Sequence, residues 1–402
     1  MPATLTNPRQ ARRSLERSWL LTAVLFAAAL AATYVALTWA WTPQRAGEWL
    51  VFAVLVAVVE LALLWRILRH NHRPGDSQLL PTLGYGTALT LLSGLLLAML
   101  AGFLLAPRPT GLSAWLPALL YTVARVVDYL DGYVARITDH ETALGGILDM
   151  ELDGLGVLIA VVLGIQYGAL PFWYLPLALS RQLFVAGLWW RKRRGLPVYE
   201  MTPSANRRII AGYQSGFLSV ALWPIFAQPV AYLAATVFAL PLIASFVRDW
   251  LVVSGEINPD RPAYIQWRAR LKDLIEGWLP PLARLGGTVI AVALLIQYLP
   301  VWESHFAERG AAVWGLDCLA VLAVLAVPAY LFGVLGRVAA LPLLALAWLD
   351  IGVRGLDWQD NVWLFIAAAI VTQVGSGYFA VWQPEEQILH RRPGSGPAEA
   401  AR

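Results

Sequence analysis

The chain has 402 residues, of which 58% are hydrophobic and only 14% charged, with 30 Lys plus Arg against 26 Asp plus Glu and a net charge of +4. Soluble globular chains carry roughly 25% charged residues, so this one lacks the charge to coat a water-exposed surface of its size. Disordered, nucleic-acid-binding and disulfide-rich secreted classes are excluded, the last also by the single cysteine, Cys318; a multi-pass membrane protein remains.

In chain order, Arg9, Arg12, Arg13 and Arg17 precede an apolar run that begins near Trp19. The run is too long for a signal-peptide core and reads as an uncleaved first span. A hydrocarbon core of about 30 Å takes roughly 20 apolar residues as helix, and lipid offers no partners for the backbone of anything less regular. About twelve stretches fit: 18–41, 48–69, 83–106, 113–136, 147–166, 170–191, 208–226, 229–252, 280–299, 311–333, 337–354 and 361–382. Pro328 and the short 337–354 stretch blur the count at the end. Between the second and third, His70–Leu80 is polar, contains Pro74-Gly75 and reads as a linker. After the eighth, the turn signal Asn258-Pro259-Asp260 leads into Trp267, Leu271, Leu274 and Trp278 at helical spacing, with Arg268, Arg270, Lys272 and Asp273 between them. That pattern is an interfacial amphipathic helix, or else a helix packed on other cytoplasmic loops. The tail from Pro393 to Arg402 reads as disordered.

Basic residues set the sidedness. One set of loops holds Arg9 to Arg17, Arg66/Arg69/Arg73, the run Arg191-Lys192-Arg193-Arg194, Arg207/Arg208, Arg261 to Lys272, and Arg391/Arg392. The intervening loops hold only single arginines, Arg45, Arg108, Arg309 and Arg354. Both termini are expected in the cytoplasm. Nineteen tryptophans suit interfacial belts.

Most charges fall in these loops, and the conspicuous exception is a set of aspartates. Asp128 and Asp131 are three apart and share a face of the fourth span; Asp149 and Asp153 are four apart and share a face of the fifth. The short connection 137–146 makes the two spans antiparallel neighbours, so the four carboxylates converge near the cytoplasmic end of a two-helix hairpin. Intramembrane ionisable groups default to a functional reading. Four carboxylates this close need cations, and hard oxygen ligands suit Mg²⁺ or Mn²⁺. Two such ions would clamp a pyrophosphate and stabilise its leaving oxygen. Gly132 and Ala135 leave room for a ligand beside the helix, and Arg136 can bind phosphate bidentately. The structural alternative is a salt-bridge network with Arg125 and Arg136.

The run Asp128, Asp131, Gly132, Ala135, Arg136, Gly145, Asp149, Asp153 resembles the signature of the CDP-alcohol phosphotransferases, D-x-x-D-G-x-x-A-R-x8-G-x-x-x-D-x-x-x-D, with every spacing met. The resemblance covers about residues 80–255. It implies an all-α integral membrane protein whose six-helix transmembrane core opens a polar cavity to the cytoplasm, here with extra N- and C-terminal helices. It implies metal-dependent transfer of the phosphatidyl group of CDP-diacylglycerol to a hydroxyl acceptor, with release of CMP. By this match Asp128, Asp131, Asp149 and Asp153 are the metal ligands, Asp153 is also the base, and Gly132, Ala135, Arg136 and Gly145 lie near the CDP moiety.

The acceptor is less defined. Arg181 lies inside an apolar stretch and needs a partner, which a phosphate or carboxylate on the acceptor would supply, or else a structural ion pair with the aspartate cluster or a loop. Arg181-Gln182 followed by Arg191 is similar to the Arg-Glu…Arg pattern of phosphatidylglycerophosphate synthases, and Arg208 and Gln214 fit their next segment, whereas Ile210 and Ala211 do not. In the first core span, Thr87-x-Leu89-Thr90-x-x-Ser93 stands where the family often has Asn-x-Leu-Thr-x-x-Arg, so that arginine is missing. Arg181, Arg191 and Arg208 are the acceptor candidates, with glycerol 3-phosphate or another polyol phosphate as first expectation and serine or a second lipid as others. A soluble CDP-alcohol donor with a lipid acceptor is the reverse arrangement. Glu60 and Asp317 read as structural groups paired across helices, and His140 as an ordinary residue of the connection, with an approach to the nucleotide as the alternative.

The expected organisation is a tail and two helices over 1–79, a catalytic core over 80–255, an amphipathic linker over 256–279, further spans over 280–384 and a disordered end over 385–402. The flanking spans are candidates for homodimerisation, a lipid entrance or a partner. The competing class is a transporter or channel with the aspartates as a cation site, which would have no use for Gly132, Ala135, Arg136 and Gly145.

Overall fold

A computed structural model describes residues 8–200, 205–225, 228–308 and 314–386, with the side chains of 205–208 also outside the description. The expected disordered end beyond Glu386, and Arg309, Arg391 and Arg392 of the charge pattern, therefore lie outside the described residues. Among those described, the chain is helical, with one isolated β-bridge between Val334 and Trp382. The helices are α1 (Pro8–Ala40), α2 (Pro43–Ile67), α3 (Gly84–Ala101), α4 (Leu116–Ile137), α5 (Ala143–Gln166), α6 (Leu175–Ala178), α7 (Ser180–Arg193), α8 (Ala205–Ala221), α9 (Val230–Val253), α10 (Pro262–Lys272), α11 (Leu279–Glu308), α12 (Trp314–Phe332), α13 (Gly336–Arg354) and α14 (Asn361–Val374).

The all-α membrane architecture expected from composition is what the chain forms. Among the described residues, seven helices are long and apolar enough to cross a membrane: α1, α2 with its extension to His70, α3, α9, the continuous helix Pro262–Glu308, α12 and α13. Their outer faces are apolar and uncovered, as with Leu20, Leu21, Val24 and Leu25 on α1 and Leu55, Val58 and Val59 on α2. The other five of the twelve predicted stretches are helical but fall short of that test. Helices α7, α8 and α14 are too short. Helices α4 and α5 have the length but carry Arg125, Asp128 and Asp131, and Asp149, Glu151 and Asp153. The predicted span 170–191 is also broken, with α6 ending at Ala178 and α7 starting at Ser180.

The amphipathic segment is not separate from the span after it. Residues Asp273–Trp278 form a wide helical turn that joins α10 to α11. Pro281 has no N–H to offer the carbonyl of Gly277, and the backbone N–H of Tyr378 serves that carbonyl instead at 2.9 Å. Every residue of α10 is at least partly exposed, Trp267 and Ile265 among them.

The described residues divide into two compact bodies. One takes 8–181 and 215–225, the other 182–214 and 228–386, so α7 and α8 each contribute to both. In the first body α3 is the hub: it packs along α4 and also meets α2 and α5. Small residues allow this approach. Gly86, Thr90, Ser93 and Gly94 line its buried face, the membrane-helix pattern that brings backbones close. A methyl at Gly86 would lie 2.7 Å from Ala135 Cβ and 2.9 Å from the Asp131 carbonyl oxygen. Glu60 of α2 is buried at 3% exposure against Gly94, and neither carboxylate oxygen has a hydrogen-bond partner among the described residues. The expected cross-helix partner of Glu60 is thus absent, because α3 presents a glycine there. Asp317 lies exposed in the first turn of α12.

The second body has its own buried polar centre. Asp350, fully buried, accepts from Trp302 Nε1 at 2.8 Å, Arg354 Nε at 2.7 Å and Asn361 Nδ2 at 2.8 Å. Arg354 also stacks over Tyr298 at 3.6 Å. Every partner there is satisfied locally, which is a structural arrangement.

Candidate active site

The aspartates stand on α4 and α5, close to the loop that joins them. Thr142 starts α5: its hydroxyl accepts from the Gly145 N–H at 3.0 Å and caps the helix. The loop is pinned from outside by Arg73, whose Nη2 reaches the Asp139 carboxylate and carbonyl, each at 3.0 Å. His140 is part of the same fastening. Its ring lies against Gly84, which holds φ at +80°, and its Nε2 is 3.2 Å from the Thr82 carbonyl oxygen.

Asp128, Asp131 and Asp149 each offer a carboxylate oxygen, and the three lie within 4.8 Å of one another. The shared-face reading of Asp128 and Asp131, and their approach to α5, therefore hold. The hairpin picture needs correction: α4 leans on α3 along its length and meets α5 little. The reason is Gly86, whose missing side chain lets α3 take the place beside α4.

Asp131 is buried at 7% exposure and receives the Thr90 hydroxyl at 2.6 Å. The same hydroxyl is 3.2 Å from the Gly86 carbonyl. With a single proton to give, it serves the nearer carboxylate. Asp128 has one oxygen 3.5 Å from Arg125 Nη1 and the other, Oδ1, buried with no hydrogen-bond donor among the described residues. Asp153 is half-exposed, stands outside the group of three and is ion-paired with Arg125. A buried acceptor without a donor is costly, and three oxygens converging at this spacing are a donor set of the kind Mg²⁺ or Mn²⁺ takes. The residues fit a divalent cation.

The other pattern residues surround this group. Arg136 lies back along α4 over Gly132: a methyl there would be 3.1 Å from its Nη1. Ala135 faces Gly86, so its small side chain admits α3. A methyl on Gly145 would touch the hydroxyls of Thr142 and Thr87, at 3.3 and 3.4 Å. Arg181, in the first turn of α7, donates to Glu151 at 3.0 Å and to the Met150 carbonyl at 3.2 Å. It thus contacts α5 between Asp149 and Asp153, with an acidic side chain as its partner. Arg191 belongs to the other body, where it donates to the carbonyls of Pro197 and Ser254, both at 3.0 Å. The Arg207 and Arg208 side chains lie outside the described residues.

Thr90, Gly86 and Thr142 belong to the site and went unnoticed as such in the sequence. The spacing of small residues on α3, 86, 90, 93 and 94, is the signal that would have found the first two. Ser93, which replaces the family's usual arginine, donates to the Ala124 carbonyl at 3.1 Å. The cation Arg125 is the next residue along α4.

Residues 85–254 match the family model described as CDP-alcohol phosphatidyltransferase. A Mycobacterium tuberculosis protein named "Putative cardiolipin synthase" is 30% identical over 132 residues, 32% of this chain and 62% of its own length. Two proteins named "CDP-diacylglycerol--glycerol-3-phosphate 3-phosphatidyltransferase" also match. That of Cereibacter sphaeroides is 39% identical over 77 residues, 18% of this chain and 35% of its own. That of Bacillus subtilis is 35% identical over 71 residues, 18% of this chain and 37% of its own. The chain thus spans less than two thirds of the length of each. No solved structure matches the chain at a significant level. The whole aspartate pattern, Asp128 to Asp153, lies inside the segment that matches this family model.

Proposed function

We propose that the protein is a metal-dependent phosphotransferase of phospholipid synthesis that moves the phosphatidyl group of CDP-diacylglycerol to a hydroxyl acceptor and releases CMP. The observation that carries this reading is the convergence of Asp128, Asp131 and Asp149 within 4.8 Å, inside the segment that matches the family.

Asp128, Asp131, Asp149 and Asp153 would hold Mg²⁺ or Mn²⁺, most economically two ions, which supply charge neutralisation for the pyrophosphate and for the oxygen that leaves with CMP. The chain's own groups do the rest. The acceptor oxygen bonds to the phosphorus of the diacylglycerol phosphate, and the bond from that phosphorus to the oxygen leaving with CMP breaks. Asp153, half-exposed and held by Arg125, takes the hydroxyl proton. Arg136, lying over Gly132, offers its guanidinium to the nucleotide phosphate. Thr90 fixes Asp131, so that this ligand does not have to reorganise. Such transfers depend on positioning and charge more than on covalent help.

For the acceptor, glycerol 3-phosphate is the first choice. Two relatives are named for it, and Arg181 is paired with the half-exposed Glu151 of α5, a carboxylate that an anionic acceptor can displace. The third relative's name makes a lipid acceptor the alternative. The basic loops favour a site and termini on the cytoplasmic side.

The test is CMP release by the purified full chain with CDP-diacylglycerol, Mn²⁺ and a panel of acceptors, with products identified by mass spectrometry. Glycerol 3-phosphate should give a phosphatidyl product. No CMP with any acceptor, together with divalent-cation flux in vesicles, would move the cluster to cation transport.

A further inference from the structure

Arg125 is out of keeping with its surroundings. It sits mid-way along α4, one turn before Asp128, with a side chain only 10% exposed. Its Nη1 alone carries the charge pairing, to Asp153 and, at 3.5 Å, to Asp128. Its Nε and Nη2 are buried and have no hydrogen-bond partner among the described residues.

The guanidinium is also confined. A methyl on Gly156 of α5 would lie 3.3 Å from Nη2 and about as close to Leu97 of α3. The Tyr121 ring lies 5.6 Å away on the side toward the start of α4. The group is thus flanked by α3 and α5 as well as by its own helix. Arginine also stays protonated under any ordinary condition. A fixed positive charge therefore shares two carboxylates with whatever other cation the cluster takes.

We propose that Arg125 is a positioning residue that competes with divalent cations for Asp153 and Asp128, and so sets how tightly the cluster binds them. This rests on the reading of the aspartates as a metal site. The four carboxylates alone would bind a divalent ion strongly. Arg125 opposes that in two ways: it occupies an oxygen of Asp153, and its own charge repels the incoming ion. The result is a site that exchanges its ions readily and keeps Asp153 oriented toward α4.

Manganese binding to the full-length protein, read from the free-Mn²⁺ signal in electron paramagnetic resonance, tests this without reference to turnover. Arg125→Gln removes the competitor and should bind Mn²⁺ at least about tenfold more tightly, the size of one charge-assisted hydrogen bond. Most damage to a metal site weakens binding, so the sign is diagnostic. Arg125→Lys keeps the charge on a shorter side chain, which holds the two carboxylates less closely. It should tighten binding by less, and decides the matter if the Gln variant does not fold. Unchanged or weaker binding in the folded variants overturns the proposal and leaves the metal reading standing. A wild type that binds no Mn²⁺ overturns both.

Discussion

Replacing Thr90 by valine removes one hydroxyl and almost no volume, so it isolates a single hydrogen bond at the centre of the site. Thr90 and Asp131 are both buried, at 3% and 7% exposure, and 2.6 Å apart. A hydrogen bond to a charged acceptor in such surroundings contributes about 1.5–3 kcal/mol. The neighbouring Gly132 backbone N–H also acts on that carboxylate, but Thr90 is the one side chain that donates to it among the described residues, and water has little access. Thr90→Val should therefore weaken Mn²⁺ binding by about 10–100-fold, the usual cost of losing a group that orients a metal ligand. Binding would be followed by free-Mn²⁺ titration, and CMP release would be measured at rising Mn²⁺. Activity should fall at limiting metal and recover substantially at saturation, because the ligand itself remains. Wild-type affinity in the valine variant would refute the argument that Asp131 needs an oriented donor.

Four further outcomes follow from other parts of the molecule. Gly86→Ala places a methyl 2.7 Å from Ala135 Cβ; α3 and α4 must separate, and thermal unfolding should show a loss of about 1–3 kcal/mol together with weaker Mn²⁺ binding. Asp149→Asn, which removes one of the three converging oxygens, should lower CMP release by about 100-fold or more, with far-ultraviolet dichroism unchanged. Glu60→Met replaces a buried, unpartnered carboxyl by an apolar group of similar shape, and should raise stability by about 1–2 kcal/mol; a lower melting temperature would mean that Glu60 has a partner under working conditions. Asp350→Ala removes the fully buried acceptor that Trp302 and Asn361 share, while Arg354 keeps its pairing with Asp360; it should cost about 2–4 kcal/mol in unfolding while leaving Mn²⁺ affinity untouched.

The chemistry was easier to read from the sequence than the packing around it. Aspartates at spacings of three and four must share helix faces, and charge inside an apolar stretch draws attention because it is expensive. The same charges are what keep α4 and α5 below the hydropathy of an ordinary span, so the functional helices are the ones a purely apolar count passes over. The role of α3 was hidden because glycine, threonine and serine in an apolar run carry little hydropathy signal. Their effect comes from what they leave out. Gly86 makes α3 the neighbour of α4, and Thr90 turns that contact into a support for Asp131. Asp153 was grouped with the other carboxylates by spacing, and only the position of Arg125 across from α5 separates it from them. The continuity of α10 with α11 was illegible for a different reason. Pro280 and Pro281 signal a break, and the N–H that satisfies the freed carbonyl comes from Tyr378, almost a hundred residues further on.

Anomalous scattering from Mn²⁺ in crystals of the full chain tests the central claim most directly. The account predicts a peak among Asp128, Asp131 and Asp149, reduced in Thr90→Val and absent in Asp149→Asn. Manganese bound only elsewhere, with the three carboxylates fully engaged by protein groups, would contradict it.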